Sequence, residues 1–409
     1  MSEKLSKIGS VFFLSVYIFF LVFGFKIVNI ALIALILFVL LDWKRTKKNI
    51  YTYLKSYKIA YAVIGIFLGY QFLHGLFFQE LGEKRFGLLG LVALSSIVLS
   101  WLSDIRVLLK IYLSVLTVLA VRGMANVANY YFDSINFNMV EGGHINGLLL
   151  VSRPYLGFLL ALGILFCAYL IRFSYGKIKW FYCGLSFFYI VYLIVIGNRI
   201  QLVSLVFVLL IYILIYLKTN WKYKTLGLIA VCLSILSVFY FSTTLKKRFE
   251  LSSFNQSEII EQLKEQEPRI IIWSCAKDLA KERDFNKFIG LGKEKLLQAK
   301  MADCYDVKTK NNRLREYFMK SLFGTHNQFI EYYLLTGFLG FLTFTGVFFY
   351  FWKILKKEFI PMAMLILLFN FCMVENLMNV QLGSYLFGFV IWLCLSINQT
   401  FKHKNNFSF

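Results

Sequence analysis

The sequence predicts an all-α polytopic membrane protein, and three observations predict it. Of 409 residues, 59% are hydrophobic and only 16% are charged, whereas a soluble domain is nearer half apolar and a quarter charged. The apolar residues run continuously rather than alternating, so the spans are helices and not barrel strands. Those are the two structures that satisfy the backbone within lipid. One long polar stretch, residues 243–327, interrupts the pattern late in the chain.

About twelve spans follow in order, several of them short of the ~20 residues a crossing needs: roughly 9–24, 27–42, 59–77, 86–102, 105–122, 153–171, 179–196, 200–217, 224–242, 328–352, 359–374 and 382–398. The first follows Lys4 and Lys7 like a signal peptide. It has no clear small-residue cleavage pattern and reads as a spanning helix. Basic residues fill alternate loops: 43–58, 172–179, 218–224, 353–357 and the tail with Lys402 and Lys404. The intervening short loops hold Lys26, then Lys84 and Arg85, then Arg199. The positive-inside rule makes the basic set and both termini cytoplasmic. Segment 123–152, the insert 243–327 and the turn at Glu375 then lie outside. The expected organisation is helices 1–9 over 1–242, a large helical loop over 243–327, and helices 10–12 with a tail over 328–409. The net charge of +22 would suggest nucleic acid in a soluble protein. Here it is read as topology plus attraction to anionic membrane lipid, with no nucleic-acid partner.

The insert reads as structured. Ile270, Ile271, Ile272, Trp273, Ala276, Leu279 and Ala280 keep helical spacing after Pro268, and proline suits a first turn. Two further amphipathic stretches cover 296–301 and 314–322. Of seven cysteines, none form CxxC. Five sit in apolar runs as small core residues. Cys275 and Cys304 share the insert, and a disulfide between them is expected in an oxidising compartment.

Four sets of residues could carry chemistry. His326, in GTHNQF, can take or give a proton at ordinary pH and so could deprotonate a hydroxyl; otherwise it caps or packs the helix that follows. Arg199, in GNRIQLV, offers a fork of donors to phosphate oxygens, or simply snorkels. Arg269 opens the first helix of the insert, where free N–H groups also favour an anion; the alternative is a surface arginine. Glu375, with Asn376 and Gln381, either holds a cation in place, hydrogen-bonds a sugar or makes a structural ion pair. Arg153 and His144 fall on the same side and could line a cavity. No DxD, HExxH, GxSxG or Walker loop occurs, so no metal ligands and no cofactor are expected. Arginines, a histidine and a glutamate at one lipid boundary suit a polyprenyl-diphosphate glycan. A hydroxyl would displace diphosphate at the anomeric carbon, with arginine stabilising the leaving group and histidine activating the nucleophile.

With these residues in place the chain resembles the O-antigen ligase and polymerase superfamily. The likeness is strongest from Arg199 to Gly383. It rests on GNRIQLV, on Arg269 with Trp273, on the glycine-rich FIGLGKEK, on Gly324, His326 and Asn327 followed by Gly337 and Gly340, and on Glu375 with Gln381 and Gly383. The chain departs from the family in having Asn198-Arg199-Ile200 for Ser-Arg-Gly and Arg153-Pro154 for His-Pro. The resemblance implies a bacterial inner-membrane protein with a periplasmic active site. It implies metal-independent, inverting transfer of a glycan from undecaprenyl diphosphate to lipid A-core. His326 is implied as general base, Arg199 and Arg269 as diphosphate-binding residues, and Asn327, Glu375, Gln381 and Arg153 as supporting or lining residues. A polymerase would use the same donor; the single late loop favours a ligase. A polysaccharide or lipid transporter is the non-enzyme alternative, and predicts charged or broken helices near the midplane.

Overall fold

A computed structural model describes residues 3–24, 27–80, 84–101, 105–133, 147–241, 267–309, 311–321 and 324–405; His144 falls outside them. Among the described residues the chain is helical, with no strand. The described residues before the insert form α1 Glu3–Phe23, α2 Val28–Leu41, α3 Trp43–Ser56, α4 Lys58–Phe77, α5 Lys84–Val98, α6 Ile105–Asp133, α7 Arg153–Ile171, α8 Gly176–Val195, α9 Arg199–Ile211 and α10 Trp221–Phe241. The insert contributes α11 Arg269–Leu279, α12 Glu294–Lys308 and α13 Asn312–Ser321. The chain closes with α14 Gln328–Leu355, α15 Phe359–Cys372 and α16 Gln381–Asn405.

Among the described residues seven helices are long and apolar enough to cross a membrane: α4, α6, α7, α8, α9 with its π-turn Tyr212–Tyr216, α14 and α16. Four more, α1, α2, α5 and α15, carry shorter apolar stretches. The chain is a multi-pass membrane protein. α7 and α16 are buried on nearly every side, and a helix apolar all round belongs at the centre of a bundle. α8 turns Trp180, Phe181 and Phe187 outward, an apolar surface that lipid can cover.

Two stretches read as loops are helical. The basic segment 43–58 contains α3, because Thr46, Ile50, Tyr53 and Tyr57 recur on one face and bury it. Tyr53 and Tyr57 donate to the carbonyls of Trp392 and Leu395 at 3.2 and 2.8 Å. Lys44, Lys47, Lys48 and Lys55 stay exposed. Segment 123–152 begins as helix, since α6 meets no proline and runs on to Asp133.

The insert forms a small core of its own, and α14 is part of it. Ile271, Ile272, Leu279, Phe285, Leu297, Met301 and Phe318 pack with Leu334 and Leu335. Cys275 and Cys304 are joined as a disulfide that fastens α11 to α12, their Cα atoms 5.8 Å apart. A break in α14 completes the docking. Gly337 has φ 70° and ψ −168°, a region open essentially to glycine alone. The backbone of the glycine-rich loop enters the gap. Leu291 and Gly292 donate to the carbonyls of Leu334 and Leu335, both at 2.9 Å, and Phe338 donates to the Lys287 carbonyl at 2.8 Å. A helix broken beside lipid must have its freed groups paired by protein, and this loop pairs them. His74 of α4 holds the loop from the other side, its Nε2 2.8 Å from the Ile289 carbonyl oxygen.

Candidate functional site

Three helices open on an arginine: α7 on Arg153, α9 on Arg199 and α11 on Arg269. Asn198 joins the first two starts. Its Oδ1 accepts from Gln201 N at 3.3 Å, and its Nδ2 donates to the Arg153 carbonyl at 2.7 Å. Gly157 makes this possible, since a Cβ there would occupy the space of the Asn198 amide. Arg153 lies close enough to Arg199, Arg269 and Glu267 to interact with their charges. The partial positive charge of each helix start adds to the guanidinium charge, so this corner of the protein attracts anions.

The loop before α14 sets His326. Asn327 is the N-cap of α14, its Oδ1 accepting from Phe329 N and Ile330 N at 3.0 and 3.1 Å. The cap is therefore Asn327, which leaves the His326 ring for other work. Gly324 leaves room for the Asn376 amide. His326 itself adopts φ 46°, a left-handed conformation that costs a non-glycine residue about 1–3 kcal/mol and persists only when its surroundings impose it. The imposing group is Glu331, 3% exposed. It accepts from Thr325 N and Thr325 Oγ1 at 3.3 and 2.8 Å, from Asn376 Nδ2 at 3.2 Å and from Asn379 Nδ2 at 3.1 Å. Trp273 of α11 adds a bond from Nε1 to the Thr325 carbonyl at 3.0 Å, tying the loop to the insert.

A chain of facing polar side chains joins the elements. Arg199 Nη2 lies 3.6 Å from Glu267 Oε2, and Arg269 Nη1 lies 3.4 Å from Glu267 Oε1. Arg269 Nη2 donates to Glu375 Oε1 at 3.2 Å, and Glu375 Oε2 lies 3.3 Å from His326 Nδ1. Residues far apart in sequence thus form one row: Arg199, Glu267, Arg269, Glu375, His326. Beneath the arginines a cavity of about 1530 Å³ is lined by Arg153, Arg199, Glu267 and Arg269 at its polar end and by residues such as Leu165, Val208 and Phe371 elsewhere. That exceeds the roughly 300–1,000 Å³ of ordinary small-molecule pockets and is largely apolar in lining. Gln201 also lines it, 1% exposed, with neither amide atom partnered among the described residues.

Arg199, Arg269, His326 and Glu375 are brought together, with Arg153 beside them. Gln381 donates to Asn29 Oδ1 of α2 at 2.8 Å, a contact between helix ends rather than within the row. Sequence reasoning passed over Glu267, Glu331 and Gln201. Glu267 had a signal in its position before Pro268-Arg269. Glu331 had one as a carboxylate inside an apolar helix, which is costly without partners. Among the described residues no group of three His, Cys, Asp or Glu side chains stands ready to hold a metal ion. No curated protein matches the chain. Residues 184–345, from within α8 to within α14 and including Arg199, Glu267, Arg269 and His326, match the family described as O-antigen ligase.

Proposed function

We propose that this protein is an O-antigen ligase, transferring a glycan from undecaprenyl diphosphate to a hydroxyl of lipid A-core. In this reading the chain crosses a bacterial inner membrane twelve times with both ends cytoplasmic, and the arginine corner faces the periplasm. One observation carries the proposal: the row that ends on His326 begins with two arginines that line the polar end of a large, mostly apolar cavity. An amphiphile with a diphosphate head fits that layout, its prenyl tail in the cavity and its head on the guanidinium groups.

The acceptor oxygen attacks the anomeric carbon from the face opposite the diphosphate, which inverts the configuration. Its proton passes to His326. The bond from the anomeric carbon to the diphosphate oxygen breaks, and the electron pair leaves on that oxygen. Arg199, Arg269 and Arg153 stabilise the charge that develops there, which is where preorganised donors contribute most to rate. Glu375 bridges Arg269 and His326, so it keeps the imidazole aligned with the leaving-group site. The test is incubation of purified protein with a polyprenyl-diphosphate glycan, chelator and either lipid A-core or a second lipid-linked glycan. Transfer to lipid A-core that disappears in His326→Ala supports the ligase. Chain extension on the second lipid-linked glycan would make it a polymerase, and no transfer to either would overturn the reading.

A further inference from the structure

We propose that Glu267 is an internal competitor for the donor's diphosphate, an inference that rests on the function proposed above. The carboxylate spans the two guanidinium groups assigned to that anion, one oxygen on Arg199 and the other on Arg269. Their facing donors cannot serve Glu267 and a bridging phosphate together. The backbone tethers the side chain beside both arginines. Pro268 follows immediately, and the Glu267 carbonyl accepts from Ile270 N at 3.1 Å as α11 begins. Glu267 and Arg269 therefore leave one rigid helix start in register with each other.

The strength of the contact suits exchange. Its separations of 3.6 and 3.4 Å exceed the ~2.7–2.9 Å of a tight charge-assisted bond. The Arg199 and Glu267 side chains are 34% and 38% exposed, and exposed pairs are weak. A glycosyl diphosphate held on both sides as a diester carries two negative charges. When the glycosyl bond breaks, the prenyl diphosphate that remains gains a further ionisable oxygen. Three neighbouring arginines would then hold product more tightly than substrate. A tethered carboxylate that returns to Arg199 and Arg269 offsets this and speeds product release.

The experiment measures binding of farnesyl diphosphate, a soluble prenyl diphosphate, to the full-length protein in detergent, with turnover measured in parallel. Glu267→Gln keeps the shape and removes the charge. It should bind the probe about tenfold more tightly, which corresponds to ~1.4 kcal/mol, and should show stronger product inhibition with a lower KM and a lower kcat. Glu267→Asp keeps the charge but is too short to reach both partners, and should fall between. Unchanged or weaker binding by Glu267→Gln, in protein that unfolds at the wild-type temperature, overturns the competitor. If Glu267→Gln unfolds early, Glu267→Asp decides alone on the same criterion. If neither wild type nor variant binds the probe, the diphosphate reading itself falls, and this inference with it.

Discussion

Removing the Glu331 carboxylate should disable the protein twice over, once in stability and once in the placement of His326. The perturbation is Glu331→Ala. The side chain is 3% exposed and takes four hydrogen bonds from Thr325, Asn376 and Asn379. Thr325 Oγ1 has another acceptor in the Asn327 carbonyl at 2.9 Å, so three donors are stranded. A fully buried unsatisfied group costs about 1–3 kcal/mol, which applies to the Thr325 amide, whereas Asn376 and Asn379 are half-buried and water can reach them. The loss is then about 2–4 kcal/mol. Without the carboxylate nothing holds the Thr325 amide, and the strained His326 backbone relaxes toward ordinary φ. A displacement near 1 Å at a catalytic group costs about 10²-fold in rate. Denaturant unfolding in detergent reads the first effect and glycan transfer the second. Glu331→Gln, which keeps the volume and one acceptor oxygen, should lose less of both. An Ala variant within about 1 kcal/mol of wild type and with full transfer would refute the claim that this carboxylate builds the site.

Three further outcomes are expected. Gly337→Ala should lower the unfolding temperature and expose the insert to protease, because a Cβ would collide with the Phe288 backbone and the φ of 70° disfavours alanine; limited proteolysis reports it. Cys275→Ser should destabilise the insert by about 3–4 kcal/mol, the loop entropy of a 29-residue separation, seen as a lower unfolding temperature and as loss of the mobility shift on reduction. The Asp278 carboxyl is held below its usual range, first by a hydrogen bond from Lys308 and then by the charges of nearby lysines. A depressed folded-state value means this contribution is present above about pH 3.9 and is lost as pH falls through the folded value. Asp278→Asn should therefore flatten the acid limb of insert stability, with a small effect because the pair is exposed.

The sequence alone determined the class, the order of the apolar helices and most of the candidate site residues. Continuous apolar runs admit only helices in lipid, and residues that are expensive at a membrane boundary stand out against them. That is why Arg199, Arg269, His326 and Glu375 were legible one by one. Their adjacency was not legible, because each lies on a different element and periodicity carries no information between elements. Only the tertiary structure placed Glu267 between two arginines and Glu331 beneath the histidine loop. It also decided that 43–58 is a helix lying against α16 and that the glycine-rich loop enters the break in α14. Those outcomes depend on which unpaired backbone and side-chain groups meet once the helices pack. Burial makes such pairings obligatory, but the partners are chosen in three dimensions.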